Sequence, residues 1–356
     1  MRILFAHTQP DRSEIEMCRG FACQGVEVDA VCSPTWKGGE GLVEGGVVVT
    51  KLSIRHRLDL RAVHRLRMLM CARKPDIVYA PLNSTLSVSL IAARGLGIKV
   101  VGYRGTIGHL NRWDPASRLT YLHPRIDRIV CVSKAVERYL TDMHVPAERL
   151  RTIYKGHRVA WYDSDQSVSL SEFGIPEGAF VVGFTGNMRP VKGVDVLLKS
   201  IEHLPVDLNI HCLLVGDVRD KRIPDMASGE GIHQRVHFAG FRSDAAAIAG
   251  ACDVFVMPSV EREGLPRAVI EAMAQSIPPI VTNIGGMPEL VVDRECGLVV
   301  PPRDPEALAD AIVSLARDGG LRREYGRRAR KRIQTHFNID QTIEQMLSLF
   351  NEVLNA

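Results

Sequence analysis

The 356 residues, 46% hydrophobic and 24% charged, describe a soluble globular chain long enough for two domains, each with its own core. A net charge of +4 is too mild to indicate nucleic-acid binding, and no nucleic acid is expected as a partner. No apolar run approaches membrane-spanning length, and the opening MRILFAHTQPD turns polar too soon for a signal peptide. The eight cysteines form no C-x-x-C pair, which argues against a zinc site and points to buried, reduced thiols of a cytoplasmic protein.

In chain order, RILFAHT, VEVDAVC, GVVVTKL, DIVYA, KVVGYRG, RIVCVS and LRTIYKG read as strands, with amphipathic stretches such as 59–73 and 84–95 between them. This is the rhythm of a parallel sheet covered on both faces. After AHTQPD, Ser13 and Glu16 have capping-box spacing. Residues 157–178 are polar and turn-rich and break the rhythm. The alternation restarts with FVVGFTG, NIHCLLVG, RVHFAGF, DVFVMPS, PPIVT and GLVVP. The expected organisation is α/β throughout. An N-terminal Rossmann-like domain covers 1–160, a linker 161–178 and a second Rossmann-like domain 179–337. A C-terminal helix over 338–356 is expected to pack back on the first domain. Two such halves imply a cleft, and open parallel sheets bind ligands beyond the carboxyl ends of their strands.

Three loops of the second half carry chemistry. In GFTGNMRPVKG, Gly186 opens a turn after a strand, and Arg189 and Lys192 straddle Pro190 at the expected first turn of a helix. That is a phosphate site or a pair of solvated cations. In EREGLPRAVIEAMAQ, Pro266 is a natural first residue of a helix running through Ala274, with Glu263 before it and Glu271 about two turns inside. These carboxylates are too far apart to act on one atom, but they suit the two ends of an elongated ligand such as a sugar nucleotide. Alternatively, Glu263 complements the helix dipole and Glu271 reaches solvent. In TNIGGMPELV, Gly285 and Gly286 let backbone approach a ligand at another helix start, or simply make a turn.

Together these residues resemble the signature of retaining glycosyltransferases of family 4, the group 1 glycosyltransferases with the GT-B fold. The E-x7-E pattern falls on Glu263 and Glu271, the G-G-x-P-E element on Gly285, Gly286, Pro288 and Glu289, and the phosphate-binding pair on Arg189 and Lys192. The resemblance covers roughly 180–350 and rests on fold and strand order alone in the first half. It implies two doubly wound parallel-sheet domains facing a central cleft, and transfer from a nucleotide-diphosphate-sugar donor to a glycan or lipid-linked acceptor hydroxyl. Neither a cofactor nor a metal is implied. By the same resemblance Glu263 contacts sugar hydroxyls, Glu271 the ribose, and Arg189 and Lys192 the diphosphate. Gly186, Gly264, Leu265, Pro266, Gly285 and Gly286 line the donor, and Phe241 sits by the base. Arg104, before Gly105, stands where the family often has histidine. It is read either as a contact to donor phosphate or an anionic acceptor, or as a structural salt-bridge partner, with His109 a weaker candidate. Ser276 replaces a usual glycine, and the glycine-rich loop after the first strand is missing. A sugar-nucleotide epimerase and a non-catalytic sugar-nucleotide-binding protein are the alternatives. A dehydrogenase lacks its G-x-G-x-x-G turn.

Asp163-x-Asp165 superficially matches a metal-binding D-x-D motif, but it lies in the expected linker and is read as a decoy. KLSIRHRLDLRAVHRLRMLMCARK sets eight cations against Asp59 alone, with Leu60, Val63, Leu66, Leu69 and Met70 as an apolar face. It is either a helix with a solvated basic face or a peripheral contact with an anionic membrane, at the inner face of the membrane for a cytoplasmic enzyme.

Overall fold

The computed structural model of the chain describes residues 1–163 and 168–356. They form two compact units: Met1–Gly156 with Asn338–Ala356, and His157–Phe337.

The first unit holds seven parallel strands: β1 (Arg2–Ala6), β2 (Glu27–Cys32), β3 (Val48–Lys51), β4 (Ile77–Ala80), β5 (Lys99–Arg104), β6 (Arg128–Cys131) and β7 (Leu150–Thr152). Their spatial order is β3-β2-β1-β4-β5-β6-β7, and β1 pairs with β2 from Arg2↔Glu27 to Ala6↔Val31. The central runs are apolar at consecutive positions because both faces are covered: Ile77, Val78, Tyr79 and Ala80 are all buried. The last helix, Ile339–Asn355, packs against the first, Arg12–Cys23. Gly20 leaves room there for Ile343, and Phe21 meets Phe350 edge-on at 5.7 Å. Thr342 Oγ1 fastens this helix to the end of the unit's main segment, donating to Tyr154 O at 2.9 Å and accepting from Gly156 N at 3.0 Å.

The second unit holds six parallel strands: β8 (Phe180–Thr185), β9 (Ile210–Val215), β10 (Val236–Gly240), β11 (Val254–Met257), β12 (Pro279–Thr282) and β13 (Leu298–Val300), in the order β10-β9-β8-β11-β12-β13. The reversal of order beside β8 puts the start of β8's loop next to that of β11, the usual position of a ligand crevice in such sheets.

Three local expectations are corrected. The boundary between the units falls after Gly156 rather than after residue 160, and the described part of 161–178 is not a free linker. Val168, Leu170, Phe173 and Ile175 pack against Val181, Leu213 and Ile248, because this turn-rich stretch still carries apolar residues to bury. The capping box of the first helix is Asp11 with Glu14, not Ser13 with Glu16: Asp11 accepts from Glu14 N, and Glu14 returns a bond to Asp11 N. Ser13 is left buried inside the helix.

Six cysteines are buried, Cys23 and Cys71 are exposed, and none is in a disulfide. Among the described residues no helix is long and apolar enough to cross a membrane.

Candidate active site

In the second unit, β8 ends at Thr185 and the chain turns at Gly186, whose N–H is held by Val215 O at 2.8 Å. The expected helix over Arg189–Lys192 is instead a single 3₁₀ turn, Pro190–Lys192, and the α-helix begins only at Val194. Gly193 forces this break. Its backbone is left-handed (φ +66°), and a Cβ there would lie 2.0 Å from Pro258 O. The glycine therefore seats the turn directly on the end of β11, with Val260 N bonded to Val191 O at 3.0 Å.

That seating brings Lys192 to Glu263. Lys192 Nζ donates to Glu263 Oε1 at 2.5 Å, and Ser259 Oγ donates to the same oxygen at 2.7 Å. Glu263 is only 7% exposed, yet among the described residues its Oε2 accepts no hydrogen bond. Ser259 is itself fixed by Thr282 Oγ1, which donates to its carbonyl. Arg189 is exposed at the rim of the same turn, and its guanidinium has no carboxylate partner among the described residues.

The loop after β12 closes on this group. Gly285 has φ +60°, and a Cβ there would stand 1.8 Å from the carbonyl oxygen of Glu263. Gly286 precedes the short helix Met287–Leu290. Helices 194–201, 267–274 and 287–290, which follow β8, β11 and β12, all start without a side-chain cap, so no side chain consumes their first-turn N–H groups.

Glu271 belongs to helix 267–274, which starts at Arg267 with Pro266 outside it, so the carboxylate lies little more than one turn in rather than two. It is 16% exposed and ion-paired with Arg267 Nε at 3.2 Å. Gly264 and Pro266 are buried and Leu265 is half-buried. Glu261 faces Arg262 and Arg303 at 2.9 and 3.8 Å, apart from the Lys192 group. Phe241, just past β10, presents a 76% exposed ring. Ser276 adopts φ +65°, the conformation for which glycine is the usual choice.

In the first unit Arg104 ends β5 and is 4% exposed. Among the described residues it forms no ion pair with a carboxylate. Its guanidinium donates to the carbonyls of Thr106 (2.8 Å) and Gly108 and lies over the Tyr121 ring at 4.8 Å, which folds the turn carrying Gly105 and the exposed, left-handed His109. A second polar cluster, which no motif announced, lies past the ends of β1 and β7. Lys155 Nζ lies 2.6 Å from Asp11 Oδ2 and 3.2 Å from Glu14 Oε1, and His7 Nε2 faces Glu14 Oε2 at 3.4 Å. Burial works to lower the Lys155 pKa, but Glu14, Tyr103 and Asp11 outweigh it and hold the ammonium above its ordinary range. His7 is driven down by burial against the pull of Glu14. It accepts from Gln9 N through Nδ1, which leaves its proton on Nε2 toward Glu14.

Asp163 accepts two hydrogen bonds from Arg330 Nη2, at 2.8 and 3.0 Å, while Asp165 lies outside the described residues. Among the described residues no three His, Cys, Asp or Glu side chains gather as a metal site would require.

Comparison with known proteins bears on the family and the fold. Residues 165–332 match the family model "Glycosyl transferases group 1" and residues 12–160 match "Glycosyltransferase Family 4". The lipopolysaccharide core biosynthesis glycosyltransferase LpsE of Rhizobium meliloti is 27% identical over 95% of this chain and 94% of its own length. The N-acetyl-alpha-D-glucosaminyl L-malate synthase of Bacillus anthracis is 26% identical, but over 64% of this chain and only 60% of the relative. Among solved structures, Anabaena HepE in complex with UDP superposes with a TM-score of 0.82 at 21% identity, covering 99% of this chain and 100% of that one. A sucrose-phosphate synthase from Thermosynechococcus elongatus does so with a TM-score of 0.82 at 19% identity, covering 100% and 99%. Two parallel-sheet units of this order and two adjoining family matches lead to one assignment: the chain belongs to the group 1 glycosyltransferases and has the GT-B fold.

Proposed function

We propose that this glycosyltransferase is a retaining, metal-independent enzyme. It moves a sugar from a nucleotide-diphosphate donor to an acceptor hydroxyl in glycan or glycolipid assembly. The observation that carries the reading is the uncommitted Oε2 of buried Glu263, beside Lys192 and below the exposed Arg189. The side chain is held by its other oxygen while Oε2 stays open to a ligand, an acceptor that sugar hydroxyls can use. The cations and uncapped helix starts suit the diphosphate, with Glu271 left for the ribose and Phe241 for the base. Support also comes from LpsE, whose name places it in lipopolysaccharide core biosynthesis, and from HepE, which has been solved with UDP and with UDP-glucose.

In the reaction the bond from the anomeric carbon to the diphosphate oxygen breaks, and a bond to the acceptor oxygen forms on the same face. The acceptor proton ends on the leaving diphosphate. Charge grows on that group in the transition state, so Arg189, Lys192 and the helix N-termini act as preorganised electrostatic stabilisers, and no dedicated base is needed. Arg104, Gly105 and His109 are assigned to the acceptor side or the donor phosphate, with Arg104 shaping the turn.

The proposal includes peripheral contact with an anionic membrane from the cytoplasmic side. In helix Leu60–Arg73, Leu66 and Met70 are core residues, whereas Leu60 (73% exposed) and Met68 (60%) point outward beside Arg61 and Arg65. A mixed apolar and cationic face of this kind suits a lipid surface.

A thermal-shift panel of UDP-, GDP- and ADP-sugars tests the donor. At about a hundred times its Kd a bound donor adds about 2.7 kcal/mol of stability, a readily measured shift. The stabilising donor is then turned over with candidate acceptors, with and without EDTA. Rates unchanged by the chelator are expected, and a rate that collapses and returns with a divalent cation would refute metal independence. Donor binding with epimerised donor and no transfer would favour an epimerase of this architecture.

A further inference from the structure

A cavity of about 370 Å³ lies in the first unit between the 112–126 connection and the end of helix Lys134–Asp142. Its lining comes largely from residues leading into β6 and β7, at the amino ends of these strands. His7, Arg104 and Lys155 instead follow the carboxyl ends of β1, β5 and β7. The cavity shares only Tyr121 with the Arg104 group, the tyrosine hydroxyl being held by Tyr103 O at 2.7 Å.

Its lining divides by chemistry. Tyr121, Ile126, Ile129, Met143 and Val145 make an apolar floor, and Arg112, Arg118, His123, His144 and Arg149 supply the polar part, with no Asp or Glu among the lining residues. The positive charge is uncompensated. Among the described residues Arg112, Arg118 and Arg149 form no ion pair with a carboxylate. Arg118 Nε donates only to Arg112 O, at 3.2 Å. Arg112 Nη1 lies 3.3 Å from His144 Nε2, while His144 Nδ1 faces Asp142 O at 3.0 Å. A carbonyl only accepts, so Nδ1 donates to Asp142 O and Nε2 is the nitrogen that faces Arg112. Three guanidinium groups around one concavity repel one another and focus positive potential into it, a cost that a bound anion removes. One carboxylate would neutralise a third of that charge, whereas a phosphate monoester brings about two charges and three acceptor oxygens. Trp113, next to Arg112, is 84% exposed and extends the apolar surface outward.

We propose that this cavity binds a phosphate monoester carrying an apolar chain, with the phosphate held by Arg112, Arg118 and Arg149 and the chain on the Ile126–Met143–Val145 floor. The site is separate from the donor group of the second unit, so its success or failure is read independently of donor binding.

Calorimetric titration of the whole protein with dihexanoyl phosphatidic acid as monomer, with inorganic phosphate and with phosphatidic-acid vesicles tests this. The monomer is expected to bind at least about tenfold more tightly than inorganic phosphate, because only it covers the floor. Arg118→Gln with Arg149→Gln should weaken it by at least about tenfold, while Arg317→Gln with Arg323→Gln, the same loss of two charges on exposed residues of the second unit, should not. Met143→Trp, which fills the floor without changing charge, should abolish the preference for the monomer and leave phosphate binding in place. The proposal is overturned if the monomer fails to bind, binds no better than phosphate, or binds the double variant equally well. Binding to vesicles alone would overturn it too, in favour of a surface contact.

Discussion

Glu263→Ala is expected to lower the transfer rate by about 10²–10³-fold while leaving nucleoside diphosphate binding intact or tighter. The split follows from the geometry. Glu263 offers its free Oε2 to the sugar, and its Oε1 holds Lys192 at 2.5 Å. Without the carboxylate the sugar loses its anchor, but Lys192 is released toward the diphosphate. Breaking a largely buried pair also costs stability, so Glu263→Gln, which keeps the shape and the Ser259 bond, serves as the folded control. Its melting curve should stay close to wild type and its transfer should remain low. Near-normal transfer by either variant would remove the role assigned to Glu263.

Gly285→Ala is expected to destabilise the second unit by roughly 3–5 kcal/mol, at the top of the range for point substitutions, and to abolish transfer. Two costs add. The backbone has φ +60°, where an L-residue pays about 1–2 kcal/mol, and the new methyl would stand 1.8 Å from the Glu263 carbonyl oxygen. Relief requires one of the two loops to move, and the moving group is the one that carries the site. Gly231→Ala separates these costs, since Gly231 has φ +78° but nothing within 4 Å of a Cβ. It should lose only about 1–2 kcal/mol and keep full activity. Chemical denaturation of the two variants with activity at matched folded fraction gives the comparison. Equal losses at Gly231 and Gly285 would mean that the contact with Glu263 contributes nothing.

Among the described residues all thirteen strands were legible in the sequence: the central ones are continuous apolar runs because both faces are covered, and half-exposed ones such as β3 and β10 stand out as short β-rich runs between turn signals. Side-chain partnerships were less legible. Lys192 and Glu263 are 71 residues apart, and nothing local to either loop says that they meet. Gly193 and Gly285 make them meet, and a glycine's need for left-handed backbone or close approach appears only when the neighbouring strand is in place. Ser259 looked like an ordinary strand-end residue. Its one signal was its position four residues before Glu263, at the carboxyl end of β11. Asp11 and Ser13 both stand three residues before a glutamate, so spacing could not choose between two capping boxes. Arg104 shows a different limit: a charge at a strand end suggests an ionic partner, yet its donors close its own turn on carbonyl oxygens.

The turn carrying Arg189 and Lys192 is expected to grip the donor diphosphate. Calorimetric titration of the preferred nucleoside diphosphate into wild type and the Arg189→Ala/Lys192→Ala variant addresses it directly. Loss of two charge-assisted contacts is expected to weaken binding by about a hundredfold or more; removing Lys192 also leaves Glu263 without its cation and costs stability, so the affinities are compared at matched folded fraction. Equal affinity in the two proteins, or no nucleoside diphosphate binding by wild type, would show that this turn does not hold the donor.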